Sequence, residues 1–140
     1  MEITANTLQT VAPNGVVVFT NTASVGGPAI IHREGSGLVT LRGLTNQCRA
    51  RFRVTFGANV ALPADATASE PISLAIAING EPLVTSTMIS TPGAVEEFNN
   101  IGRVVFLDVV AGCCVQVSVE NTGTTPIDVQ NANLIVERVA

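Results

Sequence analysis

The chain lacks tryptophan, tyrosine and lysine altogether, although it has 140 residues. Its only aromatic residues are five phenylalanines, so its core has to be built mainly from Val, Ile, Leu and Ala. The β-branched members of this set favour strands over helices. Sugar-binding sites commonly offer an aromatic platform, and the missing Trp and Tyr side chains therefore count against a glycan-binding module.

Charged residues are also scarce. They make up 13% of the chain, while 46% of the residues are hydrophobic; a typical soluble protein has about 25% charged residues. A monomer with so few charges has difficulty covering its surface, so we expect much of that surface to be buried against further copies of the chain. All seven basic residues are arginine, which suits planar, bidentate pairing at interfaces.

The overall charge is acidic, with a formal net charge of −4 and a pI near 4.8. This balance argues against duplex nucleic acid as a partner, because affinity for it depends on neutralising phosphates. No apolar run approaches the roughly 18 residues of a membrane-spanning helix. The first residues, MEITANTLQ, lack the basic and apolar regions of a signal peptide. We therefore expect no membrane insertion and, outside the cell, transport on a particle or by another route.

Apolar and polar residues alternate with a period of two along most of the chain, as in half-buried strands. In residues 47–62, for example, Phe52 and Val54 share one face and Arg51 and Arg53 share the other. The pattern predicts nine or ten short strands and an all-β sandwich or barrel. We expect one domain, residues 1–140, with residues 1–10 as a possible N-terminal arm. The predicted strands are 15–21, 28–34, 38–43, 47–62, 72–80, 81–90, 103–109, 113–121, 127–131 and 132–140.

The single histidine, His32, lies four residues before Ser36 in HREGSGLVTLRG. A catalytic triad would also need an orienting carboxylate, and the strand–turn–helix context of a nucleophile elbow is missing. Gly35 and Gly37 flank the serine, so this stretch predicts a turn between two strands. One histidine and unpaired cysteine spacing also argue against a zinc site. We expect no catalytic residues, no metal and no cofactor, and therefore no enzyme.

The three cysteines, Cys48, Cys113 and Cys114, cannot form a complete intramolecular disulfide framework because their number is odd. Alternation places Cys48 and Cys113 on inward faces and Cys114 on an outward face. Two alternatives follow: a Cys48–Cys113 bridge that leaves Cys114 for an intersubunit contact, or three unpaired thiols.

The second half carries a recognisable order of motifs. A strand ends at Asn79-Gly80 in ING, VVFLDVVAGCCVQVSVEN follows an irregular stretch over residues 91–100, and VQNANLIVERVA comes last. This order resembles the jelly roll of the tumour-necrosis-factor-like and complement-type globular heads, especially the heads of bacterial spore-coat collagen-like glycoproteins. The sequence also looks like small uncharacterised proteins of phages and prophages of gut Firmicutes. Cys113-Cys114 departs from the polar pair usual at the turn after Ala111-Gly112.

The resemblance implies an all-β, TNF-like jelly-roll sandwich that assembles as a homotrimer around a three-fold axis and is displayed on a surface. In VQNANL, the amide side chains of Gln130, Asn131 and Asn133 could line such an axis. Symmetric closure is the usual outcome for a domain that associates with itself.

Arg49, Arg51 and Arg53 recur at every second residue of one predicted strand. They could form a solvent-exposed charged face, or bind anionic glycans or cell-wall polymers. They could also pair across sheets or subunits with acidic residues, for which the candidates are Glu96, Glu97, Asp108 and Glu120.

These observations favour a non-enzymatic structural protein. We expect a trimeric jelly roll on a phage virion surface, as a capsid decoration or a component of a head or tail fibre, with itself and other virion proteins as partners. The alternatives are a structural protein of a bacterial spore or cell surface and a module that binds a host-surface glycan or receptor.

Overall fold

Two antiparallel β-sheets pack face to face in the computed structural model, which describes residues 1–66, 70–112 and 114–140. These residues form twelve strands and one 3₁₀ turn, Val84–Ser86, with no α-helix among them. The strands are β1 (Glu2–Ala5), β2 (Gln9–Val11), β3 (Asn21–Ser24), β4 (Ile30–His32), β5 (Val39–Arg42), β6 (Arg49–Ala61), β7 (Ile72–Ile78), β8 (Glu81–Pro82), β9 (Met88–Ser90), β10 (Asn99–Val110), β11 (Cys114–Asn121) and β12 (Ile127–Arg138).

The first sheet, sheet A, has the strand order β10-β6-β12-β1-β3, and β2 pairs with the first part of β12. Its three long strands, β6, β10 and β12, are each 12 or 13 residues long. Strand β10 pairs with β6 along its whole length, from Asn99 opposite Val60 to Val110 opposite Arg49. Sheet A is therefore wide, and β10 forms one of its edges.

The second sheet, sheet B, has the order β4-β5-β11-β7-β8, and β9 also pairs with β7. Its strands are shorter, and a hairpin at Asn79-Gly80 joins β7 to β8. Both turn residues have positive φ, 52° and 83°, as the predicted Asn-Gly hairpin requires. The edge strand β4 lies at the opposite end of sheet B from β7 and its partners.

The core lies between the sheets and is built as the composition predicts, from Val, Ile, Leu and Ala around three buried phenylalanines. The ring of Phe19 meets that of Phe56 edge to face, with centroids 6.5 Å apart. Phe52 lies on the same face of β6 as Phe56, and both are fully buried. Burying each such side chain contributes about 1.5–3 kcal/mol, so the phenylalanines stabilise the centre of the sandwich.

Several stretches differ from the sequence-based boundaries. The predicted strand 81–90 is divided into β8, the 3₁₀ turn and β9, and β10 begins inside the predicted irregular stretch 91–100. Residues 15–20 form no regular strand because they cross between the sheets: Val17 N donates to Val119 O in sheet B, and Thr20 N donates to Thr4 O in sheet A. Residues 1–10 contribute β1 and part of β2 to sheet A. Residues 127–131 and 132–140 belong largely to a single strand, β12, which carries a bulge between Gln130 and Asn133.

A buried asparagine closes one end of the sandwich. Asn121 ends β11, and its side-chain Nδ2 donates to Val11 O at 3.1 Å and to Thr125 O at 3.0 Å. Its Oδ1 accepts from Gly123 N at 3.0 Å. A buried amide of this kind is favourable because both its donor and its acceptor have partners. Asn121 therefore joins β2, β11 and the loop before β12.

Candidate functional site

The outer face of sheet A carries exposed apolar side chains along β10. Because successive side chains of a strand point to opposite faces, Leu107 and Val109 face the core and are buried, while Val104, Phe106 and Val110 face outward. The exposed fractions of these three outward residues are 51%, 60% and 60%. We call Val104, Phe106 and Val110 the β10 strip. Contiguous exposed apolar groups on a soluble protein mark interaction surfaces.

The strip lies on a strand whose second edge has no strand partner among the described residues. A cross-link to sheet B is made by Arg103, whose Nη2 donates to Thr87 O at 2.9 Å. A long unpaired edge offers backbone N–H and C=O groups to another chain, which natural proteins usually prevent with charges, bulges or cover. Strand β10 therefore combines an edge that has no strand partner among the described residues with three exposed apolar side chains, and Asp108 also faces outward between Phe106 and Val110.

The predicted arginine ladder lies beside this strip on the same face. Arg49, Arg51 and Arg53 stand opposite Val110, Asp108 and Phe106, respectively, in the pairing of β6 with β10. Arg51 binds Asp108 with two hydrogen bonds, Nε to Oδ1 at 2.8 Å and Nη2 to Oδ2 at 3.1 Å.

Two further contacts complete the ladder. Arg49 Nη1 lies 3.5 Å from Asp108 Oδ2, a distance that gives an ion pair without a short hydrogen bond. Arg53 Nε donates to Glu137 Oε1 at 2.8 Å across the pairing of β6 with β12. Of the four acids that the sequence offered as partners, the structure pairs the ladder with Asp108 only, within the chain.

The other three acids lie elsewhere. Glu96 and Glu97 are near the far end of β6, where Glu96 N donates to Leu62 O, and Glu120 lies in sheet B. Glu137 was absent from the sequence-based candidates because its contact with Arg53 depends on the register between two strands that are 84 residues apart.

The two hydrogen bonds between Arg51 and Asp108 shift the pKa values of both side chains. The hydrogen bond from Arg51 lowers the pKa of the Asp108 carboxyl below its ordinary value, and the charges of Arg51 and Arg49 act in the same direction. The same hydrogen bond raises the pKa of the Arg51 guanidinium. Asp108 therefore stays ionised at neutral pH and accepts hydrogen bonds only.

A cleft of about 230 Å³ opens at the end of the ladder. Gln47, Arg49, Arg51, Asp108 and Ala140 line it, and we call it the arginine cleft. The backbone helps to form its wall, because Arg51 N donates to Ala140 O at 3.1 Å. The cleft is thus lined by guanidinium, carboxylate and amide side chains.

The amides predicted to line an axis lie farther along the same face. The bulge in β12 places Asn131 in the left-handed region, with φ of 56°, and leaves its side chain exposed. Asn59 Nδ2 donates to Asn131 Oδ1 at 3.2 Å. Asn133 Nδ2 donates to Glu2 Oε2, and Gln130 is half-buried opposite Asn59. All three amides thus belong to sheet A, and whether they line an axis stays a prediction.

The histidine loop is a turn. His32 Nε2 lies 2.9 Å from the backbone oxygen of Ser36, and the ring packs edge to face against Phe19. The Ser36 hydroxyl accepts instead from Leu38 N at 3.0 Å. Gly35 has φ of 90°, as the predicted turn requires. The arrangement gives the serine hydroxyl no contact with the imidazole.

Cys48 and Cys114 are exposed, and neither forms a disulfide with a described residue. The outward orientation predicted for Cys114 is confirmed. The inward orientation predicted for Cys48 is wrong, because Cys48 precedes the first residue of β6 and the alternation of that strand does not extend to it. Cys113 lies outside the described residues, so a Cys48–Cys113 bridge stays a prediction.

The described residues contain neither a cluster of metal ligands nor a membrane-spanning helix. No three His, Cys, Asp or Glu side chains among them converge in a way that would hold a metal ion. None of these residues forms a helix with the length and hydropathy needed to cross a membrane.

Solved structures identify the fold. The globular domain of the zebrafish complement 1qA protein superposes with a TM-score of 0.63 over 96% of this chain and 93% of that domain, at 11% sequence identity. The chain has a complement-type jelly-roll fold. The predicted fold class, an all-β jelly-roll sandwich, is thus confirmed, and so is the resemblance to TNF-like and complement-type heads at the level of fold.

A carbohydrate-binding module, CBM35 from Cellvibrio japonicus Abf62, covers 100% of this chain and 97% of the module, at 15% identity. Its TM-score of 0.38 is too low to carry an argument. No protein-family model matches the chain, and no curated protein matches it significantly. The resemblance to spore-coat heads and to phage proteins therefore stays a prediction, as does the trimer.

Proposed function

We propose that the protein is a non-enzymatic structural module that assembles as a homotrimer and is displayed on the surface of a phage virion. The observation that supports this proposal most strongly is the β10 strip, with Val104, Phe106 and Val110 exposed on the unpaired edge strand of the wider sheet. The chain has few charged residues that could keep such an apolar surface solvated, so we expect another copy of the chain to cover it.

A three-fold assembly fits this surface because its interfaces are heterologous: one patch of each copy meets a different patch of the next. The β10 strip and its open edge supply the first patch. The outer face of β12 and β1, with Asn133 beside Glu2, supplies a second and more polar patch on the same sheet. Closure of the ring would cover both patches and leave sheet B toward solvent.

The assembly is tested by introducing charge into the strip. Val104→Asp and Phe106→Asp each place a carboxylate at a dehydrated contact, and we expect either change to convert the trimer to monomers. Ile31→Asp is the matched control, because Ile31 is 48% exposed on β4 of sheet B. Light scattering coupled to size exclusion gives the mass. The proposal fails if both strip variants keep the wild-type mass, or if Ile31→Asp dissociates the assembly equally.

The location is tested separately. Particles are purified from a producing culture by density gradient, and the gradient and cell-wall fractions are probed with an antibody against the chain. We expect the chain in the fraction that contains capsids. Its presence only in spore or cell-wall fractions would replace the virion with a bacterial surface, and would leave the trimer unaffected.

A further inference from the structure

The arginine cleft has an unequal number of positive and negative side chains. Two guanidinium groups, those of Arg49 and Arg51, share the single carboxylate of Asp108. Arg51 occupies both oxygens of Asp108 with short hydrogen bonds. Arg49 is 64% exposed and makes no hydrogen bond within the described residues. Its N–H groups are therefore available to an oxyanion from solution.

A guanidinium presents its N–H groups in a planar fork that matches the two oxygens of a carboxylate. Arg49 lines the cleft, and its side chain is largely exposed there. An exposed ion pair contributes little to stability, so the loose contact of Arg49 with Asp108 gives no strong structural reason for a second arginine here. An anion that enters the cleft would give the guanidinium of Arg49 the hydrogen-bond acceptor that it lacks.

The remaining groups indicate what else that ligand carries. Asp108 is ionised and only accepts hydrogen bonds, since the hydrogen bond from Arg51 lowers its pKa. The side chain of Gln47 is exposed, and no described residue hydrogen-bonds to it, so its amide offers both a donor and an acceptor. Hydroxyl groups of a ligand would donate hydrogen bonds to Asp108 and would both donate to and accept from the amide of Gln47. A bare inorganic anion would be repelled by Asp108, and a neutral sugar would leave Arg49 unmatched.

We propose that the arginine cleft binds an acidic glycan, with Arg49 holding a sugar carboxylate while Asp108 and Gln47 bind neighbouring hydroxyls. Arg51 is a positioning residue, because its two hydrogen bonds fix the carboxylate of Asp108. The cleft lies on the same face as the β10 strip, because Asp108 lies between Phe106 and Val110 and Arg49 stands opposite Val110. A copy of the chain that covers the strip would also cover the cleft, so glycan binding is measured on a chain that is expected to be monomeric. Its volume is about 230 Å³, so the cleft is small and the rest of an oligosaccharide would extend into solvent.

The experiment uses an oligosaccharide of uronate units prepared from alginate, with a neutral glucose oligosaccharide of the same length as its counterpart. Binding is measured by isothermal titration calorimetry on the full chain carrying Val104→Asp, which is expected to be monomeric, at low and physiological salt. We expect the uronate oligosaccharide to bind and the neutral one to show no heat. Acetate, a carboxylate without hydroxyls, should bind more weakly; equal affinity for acetate would mean recognition of any free acid rather than of a sugar, and would overturn the proposal.

Variants separate this site from general charge attraction. Arg49→Gln should weaken binding about tenfold or more, because a hydrogen bond to a charged group is lost. Arg33→Gln, which removes the same charge from the exposed loop before Gly35, should change nothing. Asp108→Asn is the sharpest variant: it should weaken glycan binding, whereas simple attraction to positive charge would become stronger. Light scattering of each variant checks that its mass is unchanged.

Absence of binding by the Val104→Asp chain, equal binding after Arg49→Gln is added to it, or tighter binding after Asp108→Asn is added would each overturn the site. None of these results bears on the trimer, which is measured by mass. Loss of the trimer in the strip variants with glycan binding retained would likewise separate the two proposals.

Discussion

The two sheets bury their inner faces in the same way but present different outer faces to solvent. Sheet A exposes Val104, Phe106 and Val110 beside the arginine ladder. On sheet B, the outward side chains of β7 and β11 are small or polar, as with Ala75 and Gln116. Neighbouring groups already cover part of that face, because Ala75 and Ser118 are buried.

This difference separates what the fold needs from what it presents to other molecules. The inner faces need complementary apolar shapes, and both sheets provide them. The outer face of sheet B is small or polar along its central strands and exposes single apolar side chains at its margins, Ile31 on β4 and Ile89 on β9, while that of sheet A combines a row of apolar side chains with ion pairs. Binding functions are therefore to be sought on sheet A, and the following changes test this conclusion.

The largest effect should come from comparing two phenylalanines of sheet A. Phe56 is buried against Phe19, and Phe56→Ala should lower the free energy of unfolding by about 3–5 kcal/mol. Phe106→Ala, on the outer face, should change it by less than about 0.5 kcal/mol. Both are measured by urea denaturation in the Val104→Asp background, so that assembly does not contribute. A similar cost at both positions would mean that the outer face is part of the core.

A second comparison concerns two asparagines. Asn121→Ala removes a buried amide and leaves Val11 O and Thr125 O without their donor, so it should cost about 1–3 kcal/mol. Asn131→Gly removes an exposed amide from a left-handed position that glycine adopts without strain, and should be neutral within about 0.5 kcal/mol. Urea denaturation of each variant measures both. A costly Asn131→Gly would give the amides of β12 a structural role instead.

The smallest effect is that of pH on the ladder. Because the pKa of Asp108 is lower in the folded protein, its contribution to stability is present above the pKa of an unfolded aspartate, about 3.9, and is lost as pH falls through the lower folded value. Wild type should therefore be slightly more stable than Asp108→Asn at neutral pH and equal to it in strong acid. Urea midpoints across this range measure the difference.

The sequence predicted elements best where the two faces of a strand differ in polarity. Strand β6 alternates between Phe or Val and Arg, so its inward face and the ladder followed directly. In β10, by contrast, both faces of RVVFLDVV are apolar apart from Arg103 and Asp108, and the sequence alone could not separate buried Leu107 from exposed Phe106. A strand that is apolar on both faces is itself a signal, since one face must be covered by something else.

Contacts between strands that are far apart in the sequence could not be predicted, for a different reason. The pairing of Arg53 with Glu137 and the convergence of Gln47 with Asp108 depend on which strands are neighbours and in which register. A one-residue shift in register would move every side chain to the other face. The merging of two predicted strands into β12 had only a weak local signal, Asn131, because asparagine tolerates the left-handed conformation.

The mass of the wild-type chain in solution tests the central claim, that the outer face of sheet A is an interaction surface for copies of the chain. Sedimentation equilibrium at micromolar concentration should give a single species of about three times the 14.5 kDa chain mass. A species at the mass of one chain over the whole concentration range would contradict the account.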